Sequence, residues 1–173
     1  MFDVKIVTEV ATELLTVADL KEHMRITFTD DDTYLATLVK SARKAIEKYC
    51  VISLGTQEIE IVFDGVAWVE MELPYAPVIT INSVEYKADY GTYSAMTLSE
   101  EYDVDGGLFK TLTPFSTNRF KVNYDAGYTE VPEDLKMYWL RLCTFYYENR
   151  GDMGKIPDDL KRDLNTHKRL AWL

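Results

Sequence analysis

Two periods alternate along this chain. From Gln57 to Phe63 every second residue is apolar, with Ile59, Ile61 and Phe63 on one side and Glu58 and Glu60 on the other. That is the period of a half-buried strand. Val69, Met71 and Leu73 repeat it against Trp68, Glu70 and Glu72. With Asp64-Gly65 as a turn signal between them, the two runs read as neighbouring antiparallel strands sharing one apolar face. The four glutamates then share the outer face. Phe120, Val122 and Tyr124 alternate with Arg119, Lys121 and Asn123, and those two cations on a nearby strand would relieve the repulsion between the glutamates. Val4 to Val7 reads as a short strand. Leu73 to Val78 is a proline-bounded corner, and Ile79, Ile81, Val84 and Tyr86 continue the sheet. Residues 87–118 are looser, with short strands expected at Ala95–Leu98, Tyr102–Val104 and Leu108–Leu112. Long loops of this kind are often functional or mobile.

The helical period lies on either side. Thr16 can cap the amide of Asp19 at the start of a first helix that ends near Arg25. Asp30-Asp31-Asp32 opens a second, in which Leu35, Leu38, Val39, Ala42, Ile46 and Tyr49 fall on one face. The three acids lack the alternation and glycine of a calcium loop, so they read as an N-cap and a complement to the helix dipole. Lys40, Lys44 and Lys48 line another face four residues apart, with Arg43 and Glu47 beside them; a solvated face is the expected reading. A strand hands over to a helix at Val122–Leu135. Gly127 permits an unusual backbone angle, Pro132 suits the first helical turn, and Glu133 and Asp134 favour its positive end. Leu135, Tyr138, Trp139, Leu142, Phe145 and Tyr146 then form a stripe as far as Asn149, and Gly151 ends the helix. Pro157-Asp158-Asp159 starts a fourth helix with Leu160, Leu164 and His167 on one side.

A length of 173 residues suits one domain, and 47% hydrophobic residues can fill a core. No apolar run approaches the length that crosses a bilayer. No signal peptide is visible in Met1-Phe2-Asp3-Val4-Lys5, so the default compartment is cytoplasmic. Net charge is −10, which disfavours general binding to DNA phosphates but suits a surface past which DNA slides. Residues 155–173 carry a net +2 and the rest −12. That segment reads either as an ordinary charged helix or as a docking tail for an acidic partner. A terminal Trp172-Leu173 is tucked onto the domain or anchors another subunit. Cys50 and Cys143 read as buried thiols, with a disulfide between them left open.

The usual catalytic patterns are missing. His23 and His167 stand alone, and no H-E-x-x-H, Cys/His cluster, G-x-S-x-G or P-loop occurs. The glutamate strands invite a glycosidase reading, but strand alternation alone produces them. The first two helices could be a helix-turn-helix, yet acids at Asp30–Asp32 would repel phosphate. The profile suits an assembly or interaction protein: no enzyme, no cofactor and no metal.

Three stretches together resemble a known family. They are Leu15–Ile26 with Asp30–Leu35 and Ala42–Tyr49, then Leu73–Val84, then Val122–Tyr128 to Pro132 with Tyr146-Tyr147-Glu148-Asn149-Arg150. In this order they resemble the head–tail connector (adaptor, or head-completion) proteins of long-tailed double-stranded-DNA bacteriophages. The resemblance implies an α+β fold, a helical bundle built from N-terminal and C-terminal helices with a mostly antiparallel β-sheet inserted in the middle of the chain. As one connector domain, residues 1–173 would place helices at about 16–50, the β-rich insertion at about 55–125 and helices at about 132–172. It implies a non-enzymatic virion protein that forms a ring of about twelve copies beneath the portal, closed by head-to-tail contacts. The partners implied are the portal protein, the next neck or tail-completion protein, copies of itself, and packaged DNA passing without sequence-specific binding; no membrane is implied. Such a protein assembles in the host cytoplasm and resides at the head–tail interface. Residues 155–173 become the candidate portal-docking tail, with Lys161, Arg162, Lys168 and Arg169 meeting acidic groups and Trp172 filling a pocket. On this reading the tail is removable without unfolding the domain. The alternatives are a neck stopper or tail-completion protein of the same virion, or a DNA-binding packaging or regulatory protein.

Overall fold

The computed structural model describes residues 2–67, 69–88, 91–98, 100–112 and 115–169. In chain order the elements are β1 (Phe2–Thr8), α1 (Val17–Met24), α2 (Asp32–Cys50), β2 (Gln57–Ala67), β3 (Glu70–Glu72), β4 (Val78–Ala88), β5 (Ser94–Ala95), β6 (Tyr102–Asp105), β7 (Leu108–Thr111), β8 (Phe115–Ala126), α3 (Glu133–Glu148), a 3-10 turn at Arg150–Asp152 and α4 (Asp158–Leu164). The chain is α+β, with a bundle built from its N-terminal and C-terminal helices and a mostly antiparallel sheet inserted between them. It divides into two compact units. Among the described residues, one holds 2–11 and 56–127, and the other 12–55 and 128–169.

In the first unit a five-stranded sheet has the order β1-β2-β8-β4-β5, and a three-stranded sheet the order β3-β7-β6. The long strand β8 lies between β2 and β4, antiparallel to both. Its register sets apolar residues opposite apolar ones: Ile59 faces Tyr124, Ile61 faces Val122 and Phe63 faces Phe120. Such cross-strand pairs stabilise a sheet, and the rings of Phe63 and Phe120 stack with centroids 5.4 Å apart. The N-terminal strand β1 covers the other edge of β2, with Val4 opposite Ile61 and Ile6 opposite Ile59.

This corrects the expected pairing of 57–63 with 69–73. β3 pairs with β7 in the other sheet. Three residues cannot satisfy the backbone donors and acceptors of an eleven-residue strand, whereas β8 and β1 can. Asp64-Gly65 makes no turn either: β2 runs on to Ala67, with a register shift between Gly65 and Ala67. The looser stretch holds a hairpin, β6–β7, whose turn residues Gly106 and Gly107 have φ of 57° and 90°. Glycine populates that region freely, which is why it recurs in two-residue hairpin turns. Trp68 lies outside the described residues.

The second unit packs α1, α2, α3 and α4 around Leu20, Leu35, Leu38, Ile46, Leu135 and Trp139, each fully buried. The helix ends follow the local chemistry. Thr16 and Asp19 form a reciprocal capping box: Thr16 Oγ1 accepts from the Asp19 amide at 3.1 Å, and Asp19 Oδ2 from the Thr16 amide at 2.8 Å. α1 stops where Arg25 turns left-handed, φ 56°. Pro132 and Pro157 occupy the N-cap positions of α3 and α4, one residue earlier than the first helical turn, with acids following each. The C-cap of α3 is Asn149, and Gly151 lies in the 3-10 turn that follows.

Asp31 is the N-cap of α2 but makes no side-chain cap bond. Its carboxylate instead accepts from the Tyr147 hydroxyl at 2.7 Å. Arg43 and Glu47, read from the sequence as neighbours of the solvated lysine row, are buried, 1% and 3% exposed. Arg43 donates to Glu13 at 2.8 Å and to Glu47 at 2.7 Å, and the Leu54 amide donates to the other Glu47 oxygen at 2.9 Å. Burial pushes the Glu47 carboxyl above its ordinary value, against the opposing pull of Arg43 and the Leu54 N–H.

Candidate docking surface

The C-terminal segment is folded onto the helical unit as far as residue 169. Leu160 and Leu164 of α4 enter the core, 2% and 0% exposed. Arg141 of α3 holds α4 from outside, donating to Asp159 at 3.0 Å and to Asp163 at 2.8 Å. Beyond α4 the chain meets the end of α2. The Tyr49 hydroxyl donates to Asn165 at 2.8 Å. Lys168 Nζ lies 4.9 Å from the centre of the Tyr49 ring, a cation–π contact. The Arg169 amide donates to the Cys50 carbonyl at 2.9 Å, which supplies a partner to the last turn of α2. His167 packs edge-on to Tyr138 at 6.1 Å, with Nε2 2.9 Å from Asp134.

The expected docking residues are therefore placed as follows. Lys161 pairs with Asp158 at 2.8 Å on the first turn of α4. Arg162 is exposed on the same helix. Lys168 lies over Tyr49, and Arg169 is fixed by its amide at Cys50, with its charge acting on Tyr128. Trp172 lies outside the described residues. The expectation that the tail can be removed from an intact fold is corrected, since α4 contributes two fully enclosed leucines to the core. Sequence reasoning set Tyr49 on the core face; it is half-buried and serves as the seat for the returning segment. Its position at the last turn of a helix, beside a lysine row, was the available signal.

The candidate acidic face also changes. Glu58 and Glu60 belong to one sheet and Glu70 and Glu72 to the other. Glu58 accepts from Thr8 at 3.0 Å and from Asn123 at 2.9 Å. Arg119 pairs with Asp64 at 2.9 Å rather than with the glutamates; Lys121 pairs with Glu85 and also feels the charge of Glu60, so that part of the expectation holds. Among the described residues, no three His, Cys, Asp or Glu side chains gather as a metal site, and no helix is long and apolar enough to cross a membrane. Cys50 and Cys143 are free and buried. Burial pushes their thiols up to about 11 and about 12, so both are inert at neutral pH.

Parts of two stretches that carried the family resemblance meet in the helical unit. Besides the bond from Tyr147 to Asp31, the rings of Tyr34 and Tyr147 lie 6.1 Å apart, and the Arg150 guanidinium sits 5.1 Å from the centre of Tyr34. These contacts tie the start of α2 to the end of α3.

The head completion protein family matches residues 13–156, and the chain belongs to it; this is a family of structural virion proteins. The fold is that of solved neck chains. A chain in the neck of an empty GTA particle with C6 symmetry shares 20% identity, with a TM-score of 0.74 and coverage of 99% of this chain and 97% of that one. A chain in the virion of a native gene transfer agent (GTA) particle gives 20% and 0.74 over 98% and 97%. One in the neck of a native GTA particle with C12 symmetry gives 19% and 0.75 over 99% and 97%. No curated protein matches the chain by sequence.

Proposed function

We propose that this protein is a connector subunit that joins a phage-like head to its neck. Its two units act as one connector domain. About twelve copies would form a ring against the portal, closed by head-to-tail contacts, and extend the channel through which packaged DNA passes. The next neck or tail-completion protein would dock on the opposite side. The observation that carries this reading is the family match across most of the chain, supported by likeness to neck chains over nearly the whole length of both partners. The portal-facing surface is the C-terminal segment, where Lys161, Arg162, Lys168 and Arg169 meet acidic groups and Trp172 fills a pocket. The acidic surplus elsewhere would keep DNA mobile by repulsion.

The test is the mass of the purified protein by light scattering, alone and with an isolated portal ring. The expected result is a protein that joins the portal as a ring of many copies. A small oligomer indifferent to the portal would reject this reading and favour a stopper or a DNA-binding packaging protein.

A further inference from the structure

Two basic features far apart in sequence converge at the C-terminal end of α2. One is the lysine row of α2, whose last members Lys44 and Lys48 are exposed. The other is the basic segment after residue 155. Tyr49, next to Lys48, is where they meet. Lys168 lies over its ring, and its hydroxyl bonds to Asn165. The amide of Arg169 is fixed to the carbonyl of Cys50, one residue on. Cations at this position are also favoured by the negative end of the α2 dipole. In a chain of net charge −10, a basic area drawn from α2 and a fixed segment is a local reversal of sign.

We infer that Lys44, Lys48 and Lys168 form one preformed basic surface that docks an acidic protein surface of the partner. This rests on the reading that the C-terminal segment faces the portal, and it adds the α2 lysines to that contact. Charge complementarity commits the surface to an acidic occupant. A protein occupant fits better than DNA, because the surface is small and the rest of the molecule repels phosphate. The returning segment is already held by Tyr49 and Cys50, so docking orders little chain and loses little entropy there.

The test compares the full chain with the K44E/K48E and Lys168→Glu variants. Lys44, Lys48 and Lys168 are exposed, so circular dichroism should show an unchanged fold. Association with an isolated portal ring is followed at low and at physiological salt. Each variant should associate about tenfold more slowly at low salt, with a flatter salt dependence, as loss of steering charges produces. A K44E/K48E chain that associates at the wild-type rate overturns the inference while leaving the connector reading intact. Wild-type protein that ignores the portal overturns both. Binding to duplex DNA is measured alongside. Variants that lose DNA binding but keep portal binding would make this a phosphate contact, which also overturns it.

Discussion

Asp19 shows how one side chain ties pH to stability. The Thr16 hydroxyl and then the Thr16 amide hold its carboxyl below the ordinary value of 3.8, helped by the charge of Lys136. A carboxylate whose folded pKa is depressed contributes stability that is fully present above the unfolded pKa. That contribution is lost as pH falls through the folded value. The capping box should therefore weaken as pH drops below 3.8. Urea unfolding of an Asp19→Asn variant across this window should show a flatter pH dependence than wild type; parallel curves would mean that Asp19 is not the group responsible. Arg43 and Glu47 act differently, because neither meets water. Removing Glu47 leaves the buried Arg43 charge with the partly exposed Glu13 and the Leu54 amide without its acceptor. Glu47→Ala should cost about 3–5 kcal/mol, the range for breaking a buried pair from one side. A change below about 1 kcal/mol in a denaturant titration would show that Glu13 alone suffices.

At the scale of elements, α4 behaves as part of the core rather than as an appendage. Leu164 is fully enclosed and its carbonyl faces the Cys50 thiol at 3.7 Å. Leu164→Ala should cost about 2–5 kcal/mol, and deletion of residues 155–173 should lower the thermal midpoint rather than leave it unchanged. An unshifted midpoint would make α4 dispensable. This scale also shows what the sequence can and cannot convey. The capping box at Thr16, the span of α2 and the acidic starts of α3 and α4 were legible because each is decided within a few residues. The pairing of β2 was not. Its neighbours lie about fifty residues away on both sides, at β1 and β8, and alternation fixes a strand's face but not its partner. The burial of Arg43 was hidden for the same reason, since Glu13 sits thirty residues upstream. The contact of Lys168 with Tyr49 was hidden likewise, since the two are far apart in sequence.

At the scale of the whole molecule, charge acts in two opposing ways on assembly. Each copy carries −10 overall, so copies brought side by side in the proposed ring would repel one another. The proposed contact with the portal would run the other way, since there a basic surface would approach acidic groups. Salt screens both, with the Debye length falling from about 30 Å at 0.01 M to about 8 Å at 0.15 M. Added salt should therefore favour association of copies with each other and slow their capture by the portal. The two dependences are separable by experiment. Light scattering of the protein alone should show larger species as salt rises, while the association rate with an isolated portal ring should fall over the same range. Opposite slopes are the signature of an acidic subunit that docks through one basic surface. If both processes slow with salt, the contacts between copies are themselves attractive ion pairs, and the acidic surplus must be directed away from the ring interface, towards the channel or the outside.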